Sequence, residues 1–260
     1  MLAPLLAAVA QLFYAGYQAL RFRFYYGPIF HRFLNRKYAY YTSLPWPLKM
    51  KFLRIARDHY EYFEFVPRDN LKLTRAMKAI ISCAAAQLLL FLPSSGLTFF
   101  KKIVVYPDFY SSQITKRKHK GEVNPGLRII VFSWRGIAEG MKVPDDGLNL
   151  LLHEFAHALW LEHKLTSNQY EVLDPEWVAH FEAYAEKEIA NLNASEKHFF
   201  RRYAFDNMEE FFAVAVENFF ERTHLFHTEQ PELYRILANL FKQDPSKLYA
   251  PLPEQKSLFR

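Results

Sequence analysis

The chain has 260 residues, 51% hydrophobic and 17% aromatic with only 8 glycines, so it can bury a substantial core, which excludes a largely disordered or low-complexity protein. A single cysteine, Cys83, excludes an internal disulfide framework and agrees with a reducing compartment. The formal net charge of +6 falls largely in two basic clusters, residues 21–37 and 116–120, and neither carries a nucleic-acid-binding motif, so no nucleic-acid partner is expected.

The first segment, residues 1–20, "MLAPLLAAVAQLFYAGYQAL", has no charged side chain and matches the roughly 20 residues a bilayer span requires. It reads as an N-terminal apolar anchor or a membrane-proximal helix. A cleaved signal peptide is disfavoured because no basic region precedes the apolar run. Arg21, Arg23, Arg32, Arg36 and Lys37 follow it in a basic and aromatic connector, residues 21–46; if the segment spans, the positive-inside rule places the rest of the chain in the cytoplasm, tethered to the inner face of the cytoplasmic membrane.

Phe52, Ile55, Ala56, Tyr60 and Phe63 recur at helical spacing, predicting a helix that starts after Pro47. A second helix, residues 74–92, is apolar on most sides, so it is expected in the core with Thr74 as its cap and Cys83 as a buried, inert thiol. "KKIVVYP" predicts a short strand stopped by Pro107, "KRKHK" at 116–120 a solvated loop, and "LRIIVFSW" a stronger strand over 127–134. A helix over 147–164 follows, with Asp145 or Asp146 as its cap. Further helices are expected from Pro175, over "DNMEEFFAVAVENFFERT" and over "PELYRILANLFKQDP", before an irregular tail, residues 247–260. Few strands among many helices indicate an α+β fold, mainly helical, with a small sheet packed over the 147–164 helix.

That helix carries "NLLLHEFAHALWLEH", which contains H-E-x-x-H. Residues four apart share one helix face, so His153 and His157 can both direct an imidazole nitrogen at one metal ion. Glu154, beside them, is placed to act as general base on a zinc-bound water, and the same ion polarises a scissile carbonyl. This is the chemistry of peptide hydrolysis, and residues 47–246 are expected to form a zinc metallopeptidase domain with one Zn2+ per chain.

Two sources of a third ligand present themselves. His163 stands where H-E-x-x-H-x-x-G-x-x-H proteases have a third histidine, but Trp160 occupies the position of the helix-breaking glycine. Without that break the helix continues, and about 100° per residue carries His163 off the His157 face. The other source is a carboxylate from a later helix. Glu210 and Glu217 are seven residues apart, hence on one face, among apolar neighbours where unpaired carboxylates are costly. The pattern alone leaves open whether Glu210 is a ligand or half of a capping box with Asn207, and whether Glu217 is buried or a surface ion-pair partner.

The blocks "LLLFLP", "IVVYPDFY", "LNLLLHEFAHAL", "YAFDNMEEFFAVAVENFF" and "PELYRILANLFKQDP", in this order across residues 45–246, resemble the Mlc titration factor A (MtfA-like) zinc-dependent peptidases, whose metal site is related to that of the anthrax lethal factor catalytic domain. The resemblance implies a zincin-like (gluzincin) domain with His153, His157 and Glu210 as zinc ligands, Glu154 as base, Tyr203 as donor to the oxyanion, and Glu217 as an acid supporting the ligands from behind. The implied partners are a peptide or protein substrate and a protein regulator. This chain departs from the family at Ala158-Leu159-Trp160, at Asn207-Met208 and in its N-terminal apolar segment, so the regulator's identity is not carried over. A regulatory binding module that keeps the fold with little turnover is the alternative; the intact Glu154 favours the enzyme, because binding alone needs no base.

Overall fold

The computed structural model describes residues 13, 16–17, 27–93, 96–111, 118–143, 145–166, 172–192 and 198–248. The chain forms two compact units, Met1–Leu44 and Pro45–Arg260. In the first, helix α1 (Gly27–Lys37) is followed by the short α2 (Ala39–Ser43). His31 Nδ1 lies 2.6 Å from the Tyr41 hydroxyl and ties the two helices together. The anchor expected at residues 1–20 lies outside the described residues except at Phe13, Gly16 and Tyr17. Among the described residues no helix is long and apolar enough to cross a membrane.

The second unit runs α3 (Trp46–Tyr62), β1 (Glu64–Pro67), α4 (Arg75–Leu89), β2 (Lys102–Tyr106), β3 (Tyr110–Ser111), β4 (Lys118–His119), β5 (Gly121–Asn124), β6 (Ile129–Ser133), α5 (Trp134–Gly140), α6 (Leu150–Thr166), α7 (Pro175–Ala190), a 3-10 turn (Arg202–Phe205), α8 (Met208–Glu221), α9 (Thr223–Glu229), α10 (Pro231–Leu240) and α11 (Pro245–Leu248). The expected mainly helical α+β fold is what forms. Thr74 caps α4 by accepting the Met77 N–H, and Cys83 is fully buried within that helix, where burial pushes its thiol pKa well up.

The four-stranded sheet has the order β1-β2-β6-β5. The first three strands are parallel, and β5 pairs antiparallel with β6 at the edge. Parallel strands covered on both faces read as unbroken apolar runs, and β6 does so with Ile130, Val131 and Phe132 all buried. Val104, Val131 and Tyr110 form a cluster with Val66, Tyr106 and Ile129. Phe132 packs 5.5 Å, ring to ring, from Phe155 of α6, and Phe155 in turn stacks on Phe63. The sheet therefore lies over α6, as expected.

Helix α8 is buried from Phe211 to Phe220 without interruption, which marks it as the central helix of the helical layer. Trp160 of α6, 2% exposed, packs against Phe181 of α7 and Phe212 of α8 at ring separations of 5.6 and 4.8 Å. It locks three helices in one contact while α6 runs on past it to Thr166. Trp160→Ala is expected to cost about 3–5 kcal/mol and to lower Tm by about 10 °C in a thermal melt. A loss of only a degree or two would remove this contact from the core.

Several boundaries differ from the sequence expectation. The α6 cap is Asn149, whose side chain accepts the Leu152 N–H at 3.1 Å; Asp146 instead accepts from Leu148, and Gly147 takes φ +70°, so the chain turns after the aspartates before the helix can begin. The 127–134 strand is shortened to Ile129–Ser133 because a turn closes on Asn124 with Arg128 at φ 54°, and because Ser133 caps a helix that claims Trp134. Within the "KRKHK" loop, Lys118 and His119 pair with Ser111 and Tyr110 as a two-stranded ribbon, while residues 116–117 lie outside the described residues.

Candidate metal centre

His153 and His157 sit one turn apart on α6, and their Nε2 atoms lie 3.1 Å apart. Glu210, in the first turn of α8, puts Oε2 at 3.4 Å from His153 Nε2 and Oε1 at 3.5 Å from His157 Nε2. Asn207 does cap α8, accepting the Glu210 N–H at 2.9 Å, but the cap uses the Glu210 backbone and leaves its carboxylate directed at the imidazoles. The two roles the sequence left open for Glu210 are thus compatible. These three residues form a group able to hold a metal ion.

The spacing fits an ion. Ligands held about 2.0–2.1 Å from a tetrahedral centre are separated by about 3.3 Å, and the Nε2–Nε2 distance and the approach of one Glu210 oxygen to each imidazole are all close to this. Tautomer and charge fit as well. His153 Nδ1 donates to Glu217 Oε1 at 2.7 Å, which leaves the lone pair of a neutral ring on Nε2, facing the cluster. Burial works to lower the His153 pKa, yet hydrogen bonding to Glu210 and Glu217 pushes it up to about 10. Burial likewise works to raise the Glu210 pKa, but His153 and His157 hold that carboxylate well below the usual range. The pocket favours a cation at this point, and a metal ion would displace the proton there.

Glu217, 2% exposed, is held by three donors. Besides His153 it accepts the Asn149 N–H at 2.7 Å and Arg201 at 3.2 Å. The buried acid thereby ties the start of α6, His153 and the segment before the 3-10 turn into one unit. Neither Arg201 nor Asn149 stood out in the sequence, although a carboxylate buried in an apolar helix implied partners of this kind. Arg201 also donates to the Gly147 carbonyl and places its guanidinium carbon 5.0 Å from the centre of the Tyr203 ring.

Tyr203 is half-exposed with its ring centre 6.3 Å from that of His153. Burial and the Glu217 carboxylate push its pKa up, against Arg201, so the hydroxyl keeps its proton. Glu154, 5% exposed, has its pKa raised by burial and by Glu210 and Glu217, while the two imidazoles oppose the rise. Both residues line a cleft of about 660 Å³ together with the three members of the cluster and Glu217. His163, in the last turn of α6, is not among the lining residues.

Behind the cluster, Glu221 accepts from the Asn149 side chain at 2.8 Å and from the Leu148 N–H at 3.1 Å. Burial, with Glu217 and Asp146 nearby, still raises its pKa from 4.5 to about 8. An acid whose native pKa is raised retains a proton that the unfolded chain gives up, so the associated stability is present below pH 4.5 and is lost as pH rises through about 8. Chemical denaturation across this window should show wild type losing stability and Glu221→Gln losing less. Parallel profiles would exclude Glu221 as the source.

The family described as glucose-regulated metallo-peptidase M90 matches residues 26–242. An uncharacterized Synechocystis protein is 24% identical over 237 residues, 84% of this chain and 85% of its own. Proteins named Mlc titration factor A from Yersinia pestis and Yersinia pseudotuberculosis are 25% identical over 215 residues, 76% of this chain and 79% of theirs.

Proposed function

The chain belongs to the glucose-regulated metallo-peptidase M90 family, and from that premise we propose that it is a zinc-dependent peptidase with His153, His157 and Glu210 as its ligands. The observation that carries this reading is the convergence of the two imidazole Nε2 atoms, 3.1 Å apart, with the Glu210 carboxylate, which puts Oε2 at 3.4 Å from His153 and Oε1 at 3.5 Å from His157. Two imidazole nitrogens and a carboxylate are a donor set of catalytic zinc sites, which keep the remaining position for water or substrate. When bound, zinc supplies a water of lowered pKa and polarises the scissile carbonyl.

The protein's own groups divide the remaining work. Glu154 takes the proton of the attacking water and delivers it to the leaving amine as the C–N bond breaks, a role suited to a carboxylate whose pKa burial has raised. Tyr203, still protonated, donates to the carbonyl oxygen as it gains charge. Glu217 fixes the His153 ring and its tautomer, and Arg201 supports Glu217. β5, which lines the cleft with Gly121, Glu122 and Val123, is an edge strand that offers an extended peptide a backbone to pair with.

A mixture of fluorescence-quenched peptides provides the test. Zinc-loaded protein should hydrolyse it, removal of the metal by a chelator should abolish turnover, and one equivalent of zinc should restore it. Hydrolysis that persists at full rate in metal-depleted protein would overturn the proposal.

A further inference from the structure

Glycine at position 121 is not required by its own backbone. Gly121 pairs with Phe132 in the antiparallel ladder, and among the described glycines only Gly147 has a positive φ. An L-residue can adopt the conformation found at 121. What it cannot do is share the space: a Cβ built there would lie 2.3 Å from Glu154 Oε1, 2.5 Å from its Cδ and 2.6 Å from its Cγ. Ordinary contact begins at about 3.5 Å, so a single methyl group would have to displace the carboxylate by about 1 Å.

The strand has little freedom to yield instead. β5 is hydrogen-bonded to β6 along Gly121–Asn124, the preceding Lys120 carbonyl accepts the Ser133 N–H at 2.7 Å, and Ile130 and Phe132 on the partner strand are fully buried. Glu154 is the movable member, a side chain with three rotatable bonds that borders the open cleft. We propose that the bare face of Gly121 on β5 is the seat of the Glu154 carboxylate, which makes Gly121 a positioning residue for the proton transfer. This rests on the peptidase reading of the site. The edge strand then has a second role, since besides offering a backbone to substrate it sets where the base stands. Displacement of about 1 Å is enough to misalign a proton transfer that needs heavy atoms within about 2.6–3.2 Å.

The test is Gly121→Ala, with Gly126→Ala as a control for loss of a glycine from the same region, since the nearest neighbour of a Cβ at 126 is the Asn124 side chain at 3.5 Å. Gly121→Ala should hold as much zinc as wild type, lose kcat by about 100-fold with KM changed less than threefold, and show the Glu154 carboxylate displaced in a crystal structure. Gly126→Ala should match wild type. A carboxylate unmoved in the Gly121→Ala crystal, or a displaced one with kcat within threefold of wild type, would overturn the proposal. If zinc-loaded wild type hydrolyses no peptide, the peptidase reading fails on that result, while the position of Glu154 in the variant crystal still decides whether Gly121 seats it.

Discussion

Glu154→Gln is expected to lower kcat by about 10²–10⁴-fold, close to the detection limit of most peptide assays, while zinc content stays at the wild-type level. Glutamine keeps the size and the hydrogen-bonding reach of glutamate but cannot take a proton from water. Glu154 is not among the three residues that form the group able to hold a metal, so removing its charge leaves that group intact. Its burial means that the fold should tolerate the change. A carboxylate 5% exposed, with its pKa raised by that burial, carries a desolvation cost that a neutral amide does not. The variant should therefore melt no lower than wild type, which separates loss of chemistry from loss of structure. Turnover within tenfold of wild type would remove Glu154 as the base.

The second large effect is expected at Glu210. Partners that only support a ligand cost about 10–100-fold in metal affinity when removed, so deleting a ligand itself in Glu210→Ala should exceed 100-fold and leave the purified protein essentially free of zinc. The helix should survive, because the Asn207 cap uses the Glu210 backbone N–H and alanine supplies the same donor. His163→Ala is the matched comparison. His163 lies in the last turn of α6, away from the cleft lining, and the variant should keep its zinc. Elemental analysis on the three proteins, with a competing chelator to measure affinity, gives the answer directly. Zinc retained in Glu210→Ala at wild-type affinity would mean that another group completes the site.

The parts of this architecture that depend on local pattern were legible in the sequence. The i, i+4 histidines, the Thr74 cap and the largely apolar character of α4 each follow from neighbours within a few residues. The continuation of α6 followed from Trp160 alone, and its packing against Phe181 and Phe212 supplies the tertiary reason that a tryptophan stands there. Glu210 was ambiguous because its backbone and side chain serve different ends, and sequence pattern cannot separate the two. β1 and β5 were not visible: each has four residues, and β5, "GEVN", has a single β-branched residue, so it is a strand only because β6 offers it an edge. Arg201 and Asn149 were missed for a related reason. Their importance lies in contacts with Glu217, 16 and 68 residues away, and no local spacing reports such a contact. Gly121 was equally silent, since its meaning depends on a side chain 33 residues further along that approaches it only in the folded chain.

On the proposed function, one zinc ion sits between α6 and α8. Diffraction from zinc-saturated crystals, measured on both sides of the zinc absorption edge, would locate it and test that function most directly. One anomalous peak per chain is expected, about 2.0–2.1 Å from His153 Nε2, His157 Nε2 and a Glu210 oxygen, with Glu217 behind His153 and outside bonding distance. Saturated crystals with no peak there, or with a peak held by His163 in place of Glu210, would contradict it.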